Sequence, residues 1–392
     1  MEQIPSESRT ALSHLLRAVG GTRSRTMSAK DIGTLLSRQN HFINFLLDKK
    51  LGKNVALKGF TLNIRNIIMA CYTVHLATGH TLMCKTIASG TIKRYLNAAA
   101  ELSRPANMMN PCLDIMGQTS RYINDIIKEL KRWESIPNRR EPITKEMIEY
   151  IINKGKSIKD NPDNIYSAFG DWLVIGEQAG FRRKEWAQDR TYLKKHKDIQ
   201  RNIDGSSAAF IMKDFEFRGS KNKRINNSSV KEVNKATINN IKWRFQKNLD
   251  NGQVISYIED KENKLHCVVT TSKRIYKRAK NLNIAKDKPI AVFTECKNKK
   301  KVCFIDDVHI TNILREAASK VHNISCKKEL AKFTSHSIRV AACVFLHAQN
   351  ISAEDIKFRL RWRSDSFRMY LRNIIQLAER HRDAIRAANL SN

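Results

Sequence analysis

The spacing of the apolar residues changes character once along this chain, near residue 140, and that change fixes what each half can become. Up to residue 135 the apolar side chains recur three and four apart. Ala11, Leu12, Leu15, Leu16 and Val19 form one such stripe, and Ile32, Leu35, Leu36, Phe42, Phe45 and Leu46 a second. Ile64, Ile67, Ile68, Cys71, Tyr72 and Leu76 form a third, Ile92, Tyr95, Leu96 and Ala99 a fourth, and Ile123, Ile126, Ile127, Leu130 and Trp133 a fifth. This is the spacing of one helix face, and no alternating pattern interrupts it. The segment ESIPNRREPI (134–143) then brings two prolines and four charges, the composition of a linker. Beyond it Thr144 caps a helix faced by Met147, Ile148, Ile151 and Ile152. Short β-type runs follow at 215–217, 254–258, 267–269, 290–293 and 302–305. Helical spacing returns at 310–321, 337–349, 353–359 and 366–388, with Ser352 as a cap for the third of these. The expected architecture is an N-terminal all-α bundle over residues 1–135, a linker over 136–143 and a mixed α+β domain over 144–392.

Charge narrows the partner. The 392 residues carry 71 Lys and Arg against 38 Asp and Glu, a net charge of +33, on a chain that is 41% hydrophobic and so able to bury a core. Residues 182–201 hold eight basic side chains against three acids, and 357–386 hold nine against three. These charges share helices with apolar residues, so they decorate a folded surface, and a polyanion is the fitting partner. The opening Met1-Glu2-Gln3-Ile4-Pro5-Ser6 lacks the basic-then-apolar run of a secretory signal. The longest uncharged stretch, 67–84, contains His75, Gly79, His80 and three threonines, and reads as a buried helix and turn rather than a membrane span. No membrane partner is expected. The eight cysteines include no Cys-x-x-Cys pair and read as thiols. Cys71, His75, His80 and Cys84 form two i,i+4 pairs that could hold zinc, but thiols and core histidines of a helical hairpin are the favoured reading.

The chemistry gathers in three places. Ser335-His336-Ser337-Ile338-Arg339 opens an apolar helix, placing His336 and Arg339 on one face at its electropositive end. Leu360-Arg361-Trp362-Arg363-Ser364-Asp365 follows, with Tyr370 eight residues after Trp362. Upstream, Gly180-Phe181-Arg182-Arg183-Lys184-Glu185 succeeds a helix over 172–179.

In this order the residues resemble the tyrosine recombinases, the phage-integrase superfamily, in the style of eukaryotic transposon-borne or viral members. That family's pattern is an Arg in a Gly-Leu-Arg-x-x-Glu segment, a hairpin Lys, His-x-x-Arg, His or Trp, then Tyr. Arg182 matches the first segment, with Phe181 replacing Leu, and His336 and Arg339 match the second box. Trp362 and Tyr370 take the last two places, at a spacing one shorter than in many members. The hairpin lysine is Lys247, in Phe245-Gln246-Lys247-Asn248 before Gly252, with Lys221 as runner-up; His266-Cys267-Val268-Val269 stands where such members carry a Cys-Pro-Val-like segment. The resemblance covers 144–392 by motif and 1–135 only by architecture.

The resemblance implies a SAM-like core-binding domain ahead of a recombinase catalytic domain, the two closing on double-stranded DNA. It implies cleavage and rejoining through a 3′-phosphotyrosine, in the integration or excision of a mobile element, by a homotetramer on two duplexes. Action in the nucleus is implied for a eukaryotic host and in the cytoplasm otherwise; the run KNKKK (297–301) suits a nuclear signal or a solvated loop equally. A non-catalytic DNA-binding protein of the same fold and a type IB topoisomerase are the alternatives. The chemistry also follows from the side chains. Two arginines can grip non-bridging phosphate oxygens bidentately, His336 can take the proton of the attacking Tyr370, and Lys247 can protonate the leaving 5′ oxygen. Glu185 can brace His336 or an arginine. Arg183, Lys184, Lys194, Lys195, Lys221, Lys223, Arg361 and Arg363 are the expected DNA contacts. With arginines supplying the charge, no metal and no cofactor is called for, and the phosphotyrosine conserves the bond energy.

Overall fold

The computed structural model describes residues 29–104, 109–135, 139–202, 204–226, 229–246, 251–295 and 301–371, together with 382 and 386. The chain divides into two units, Met1–Pro137 and Asn138–Asn392. In the first, α1 (Ala29–Asp48), α2 (Leu62–Ala77), α3 (Ser89–Glu101) and α4 (Arg121–Trp133) share one core. Phe42, Phe45 and Leu46 from α1 meet Met69, Tyr72 and Leu76 from α2, Ile92 and Leu96 from α3, and Ile123 and Ile127 from α4. His41 Nδ1 lies 2.9 Å from the buried Tyr72 hydroxyl, giving that polar group a partner inside the core. The stripe at 11–19 lies outside the described residues.

The second unit is built around α6 (Ile165–Ala179), whose sequence is apolar on all sides and which is accordingly buried along its length. Asn164 caps it by accepting from the Ser167 N–H at 2.9 Å. It packs against α5 (Lys145–Ser157), α10 (Val268–Asn281) and α13 (Ser335–Ala348). A β-carbon at Gly176 would stand 2.5 Å from Ile338 Cγ2, so α13 approaches α6 as closely as only glycine permits. The one acid in the middle of α6, Asp171, is paired with Arg274 and Arg278 of α10 at 2.7 Å each. Short helices α7 (Arg183–Trp186) and α8 (Arg190–His196) lead to β1 (Phe215–Arg218). After α9 (Val230–Asn234) come β2 (Ile238–Trp243) and β3 (Gln253–Ile258), which complete an antiparallel sheet ordered β1-β2-β3 with Phe215 opposite Ile241 and Ile241 opposite Ile255. Its inner face, Phe217, Trp243 and Tyr257 included, joins the main core. Past α10, β4 (Val292–Glu295) and β5 (Lys301–Phe304) form a hairpin. Then α11 (Asp307–His322), α12 (Lys327–Leu330), α13, α14 (Ala353–Leu360) and a 3-10 turn over Asp365–Tyr370 complete the described chain. This unit is a helix-rich α+β fold.

Three expectations change. The run at 267–269 is not a strand: Cys267 caps α10, its Sγ accepting from the Thr270 N–H at 3.4 Å. Strand β2 is absent from the apolar β-type runs, since its two asparagines argue against a strand by propensity, and only the resemblance places a strand at 241–243 ahead of Lys247; Asn239 is buried and donates to Ser272 Oγ at 2.9 Å. The expected helix at 366–388 begins as a 3-10 turn, and beyond Leu371 it lies outside the described residues apart from Arg382 and Arg386. No helix among the described residues is long and apolar enough to cross a membrane. The 67–84 stretch is helix α2 followed by a turn at Gly79, with His75 and His80 stacked at 4.5 Å and Cys71 and Cys84 exposed. Among the described residues no group of His, Cys, Asp and Glu is arranged to hold a metal ion.

Candidate active site

The site begins at the C-terminal end of α6. Gly180 closes that helix in the left-handed conformation (φ 52°), where its missing β-carbon leaves room for Leu360 at the end of α14. Two free carbonyls of the helix end, Ala179 and Gly180, accept from the guanidiniums of Arg361 and Arg339 respectively. Arg339 donates a second bond to the Leu360 carbonyl at 2.7 Å and lies 4.5 Å over the Trp362 ring. It is 2% exposed. Burial and the neighbouring charges of Arg182 and Arg361 push its guanidinium down to about 9, so it is still charged at neutral pH.

Arg182 opens α7, and Glu185, three residues on, accepts both from the Arg182 N–H (2.9 Å) and from its guanidinium (3.0 Å). The same carboxylate accepts from Arg361 at 3.0 Å and from the Trp243 indole at 3.2 Å. Burial alone would raise the Glu185 carboxyl, but Arg361, Arg182 and the Arg182 N–H outweigh it and hold the carboxyl below its ordinary range. Two guanidiniums thus bind a single carboxylate while the Arg339 charge also acts on it, and the excess positive charge favours an anion beside them.

His336 sits in the first turn of α13, its N–H donated to the Thr334 cap at 3.3 Å. Its Nε2 lies 2.8 Å from the hydroxyl of Tyr370, the last residue of the 3-10 turn. Desolvation, then the charges of Arg339, Arg140 and Arg182, keep the imidazole below its ordinary value. Desolvation raises the Tyr370 phenol, with Arg339 working against it. The resting pair is therefore neutral, and in the tautomer with the proton on Nδ1 the phenol donates to Nε2. The Trp362 ring stands 5.8 Å from that of Tyr370, walling the pair on one side. Phe367 and Leu371, on either side of the tyrosine, anchor its turn in a small apolar cluster with Ala342, Cys343, Ile356 and Leu360.

Of the six residues singled out from sequence, the structure brings Arg182, His336, Arg339, Trp362 and Tyr370 together, with Glu185 beneath them. Lys247 lies outside the described residues, in the connection between β2 and β3. Lys221 is exposed, in a turn after β1. Lys184, Lys194, Lys195, Lys223 and Arg363 are exposed as a DNA contact requires. Arg183 is half-buried against the Gln188 carbonyl and Asp189. Arg361 is a correction: its side chain is 0% exposed, locked between Glu185, the Ala179 carbonyl and the Trp243 ring 4.1 Å away, so it cannot touch DNA. The cause is its left-handed backbone at the end of α14 (φ 58°), which turns the side chain inward. Glu185 braces Arg182 and Arg361. Arg139 and Arg140 were missed, since their segment read as a linker; both stand near the site, as their effect on Tyr370 and His336 shows.

No family model matches the sequence, and no curated protein matches it. Among solved structures the chain is similar to the Tn1549 transposon integrase in complex with transposon right end DNA, at 11% identity and a TM-score of 0.40, over 80% of this chain and 81% of that one. It is also similar to the XerA recombinase, at 14% identity and a TM-score of 0.34, over 96% of this chain and 98% of that one.

Proposed function

We propose that this protein is a tyrosine recombinase that cleaves and rejoins DNA strands through a 3′-phosphotyrosine. The observation that carries the reading is a phenol hydroxyl 2.8 Å from a neutral imidazole, close to a cluster in which Arg182 and Arg361 bind the Glu185 carboxylate and Arg339 adds a third positive charge. A phosphodiester seated against Arg182, with the buried Arg339 behind it as fixed positive charge, would have its non-bridging oxygens neutralised as charge builds on them, and each preorganised donor of this kind is worth about 10²–10³ in rate. The Tyr370 oxygen attacks phosphorus while its proton passes to His336 Nε2, and the bond to the 5′ oxygen breaks. The raised phenol and lowered imidazole disfavour that transfer at rest, so the proton moves only as the new bond forms. The leaving oxygen takes a proton from Lys247 by family resemblance. Reversal with a different 5′-hydroxyl rejoins the strand to a new partner.

On this reading the substrate is double-stranded DNA at the ends of a mobile element, the first unit is the core-binding domain and the working form is a tetramer on two duplexes. The location follows the host, nuclear in a eukaryote and cytoplasmic otherwise. Incubation with fragmented host genomic DNA, followed by denaturation and peptide mapping, tests it. The wild type should carry a nucleotide on Tyr370. The Tyr370→Phe variant should bind the fragments equally and carry none. A denaturant-resistant adduct on the Phe variant would make another residue the nucleophile.

A further inference from the structure

Resting on the recombinase reading, we infer that Arg139, Arg140 and Glu141 form a strap that positions the nucleophile and its base relative to one another. The Arg139 guanidinium donates to the Met369 carbonyl at 3.0 Å, on the residue immediately before Tyr370. The Arg140 guanidinium donates to the Ala331 carbonyl at 2.7 Å, in the segment that leads through buried Phe333 and the Thr334 cap to His336. Glu141 lies 3.7 Å from Lys332, the next residue along that same segment. Three consecutive residues therefore hold both partners of the 2.8 Å His336–Tyr370 contact. The strap has a fixed end: Pro142 restricts the backbone of Glu141, Ile143 is buried in the main core and Thr144 caps α5.

The tie matters because the two partners are mounted differently. His336 belongs to α13, which is packed against α6 in the main core, whereas Tyr370 rides on a single 3-10 turn anchored by a separate cluster. Met369 is exposed, so little packing fixes the backbone just ahead of the nucleophile. A charge-assisted bond from Arg139 supplies what packing does not. The charges of the two arginines also reach the pair. Tyr370 faces Arg339, Cys343, Arg139 and His336, and Arg139 favours its ionised form. His336 faces Arg339, Arg140, Arg182 and Tyr370, and Arg140 favours its neutral form. Arg139 thus eases loss of the phenol proton, while Arg140 keeps the imidazole unprotonated and available and also makes it a weaker base.

The test uses the full chain with Arg139→Gln, Arg140→Gln and the double change. Adduct formation on saturating genomic fragments should slow by about 10-fold or more for each, since misplacing a reacting group by about 1 Å costs on the order of 100-fold. Affinity for a short duplex should stay within about two-fold, and Arg139→Lys should recover part of the rate. If the arginines are only phosphate clamps, affinity and its salt dependence fall while the saturated rate is unchanged; that result overturns the strap. A second arm needs no reaction. In protein with labelled histidine, Arg140→Gln should raise the His336 titration midpoint, and with labelled tyrosine Arg139→Gln should raise that of Tyr370. Unmoved midpoints refute the positioning role even where the wild type forms no adduct, an outcome that would refute the recombinase reading instead.

Discussion

Arg361 shows how one backbone angle redirects a side chain. Arg361, Trp362 and Arg363 read as a basic run facing DNA, yet only Arg363 of the two arginines is exposed. The left-handed residue that ends α14 sends its guanidinium inward to Glu185, and nothing in the local sequence marks which residue of the run makes that turn. The site's other members were readable for a simpler reason. His336 and Arg339 stand three apart at a helix start, and that spacing alone puts them on one face. Glu185 was readable as a brace but not its partners, which come from α14 and β2. Removing Arg361 leaves a buried carboxylate with less compensation, and breaking such a pair costs about 3–5 kcal/mol. Left-handed backbone costs a residue with a β-carbon about 1–2 kcal/mol. Arg361→Gly should therefore unfold at a higher denaturant concentration than Arg361→Ala, by about 1 kcal/mol, with both below wild type. Equal midpoints would mean that the backbone angle carries no strain.

Among the elements, the long periodic helices were legible and so were four of the five short β-type runs, at 215–217, 254–258, 290–293 and 302–305. α1 to α5, α11 and α13 follow stripes that no strand could satisfy. A three-residue run such as 267–269 fits helix or strand equally, and its capping sulfur decides the matter only once Thr270 folds back on it. Just ahead of that cap, His266 Nδ1 pairs with Glu177 of α6 at 2.7 Å, and Gln178 donates to the His266 carbonyl at 2.9 Å. The hydrogen bond to Glu177 raises the imidazole above its ordinary value, against burial, with Glu149 adding to the rise and Lys145 opposing it. A folded-state value above the unfolded one stabilises fully below the unfolded value of about 6.5 and ceases as pH rises through the folded value. His336, held low, contributes in the opposite sense, losing stability as pH falls below about 6.5. Comparing Glu177→Gln with wild type isolates the pair. The melting-temperature gap between them should be widest near pH 6 and narrow toward pH 9. A gap independent of pH would show that the imidazole does not change charge there.

For the whole molecule, the +33 charge was legible at once and the distribution of work within it was not. Lys184, Lys194, Lys195, Lys221 and Lys223 are exposed, while Arg339 and Arg361 are spent inside the fold on carbonyls and a carboxylate. Exposed charge of this kind releases counterions from DNA, so affinity for a short fluorescent duplex should fall about 10³–10⁵-fold between about 50 and about 200 mM salt if 6–10 phosphates are neutralised. A loss under 10-fold, read by anisotropy, would rule out a phosphate-dominated interface. The small cluster of Ala342, Cys343, Ile356, Leu360, Phe367 and Leu371 has a separate consequence at this scale. Arg182 stands between Phe181 and Trp186 of the main core, but the tyrosine hangs from this satellite, and small clusters open at lower free energy than the body of a protein. Loosening it would withdraw the tyrosine while Arg182 stayed in place. On the recombinase reading the protein would then have an idle state, its nucleophile away from the bound phosphate.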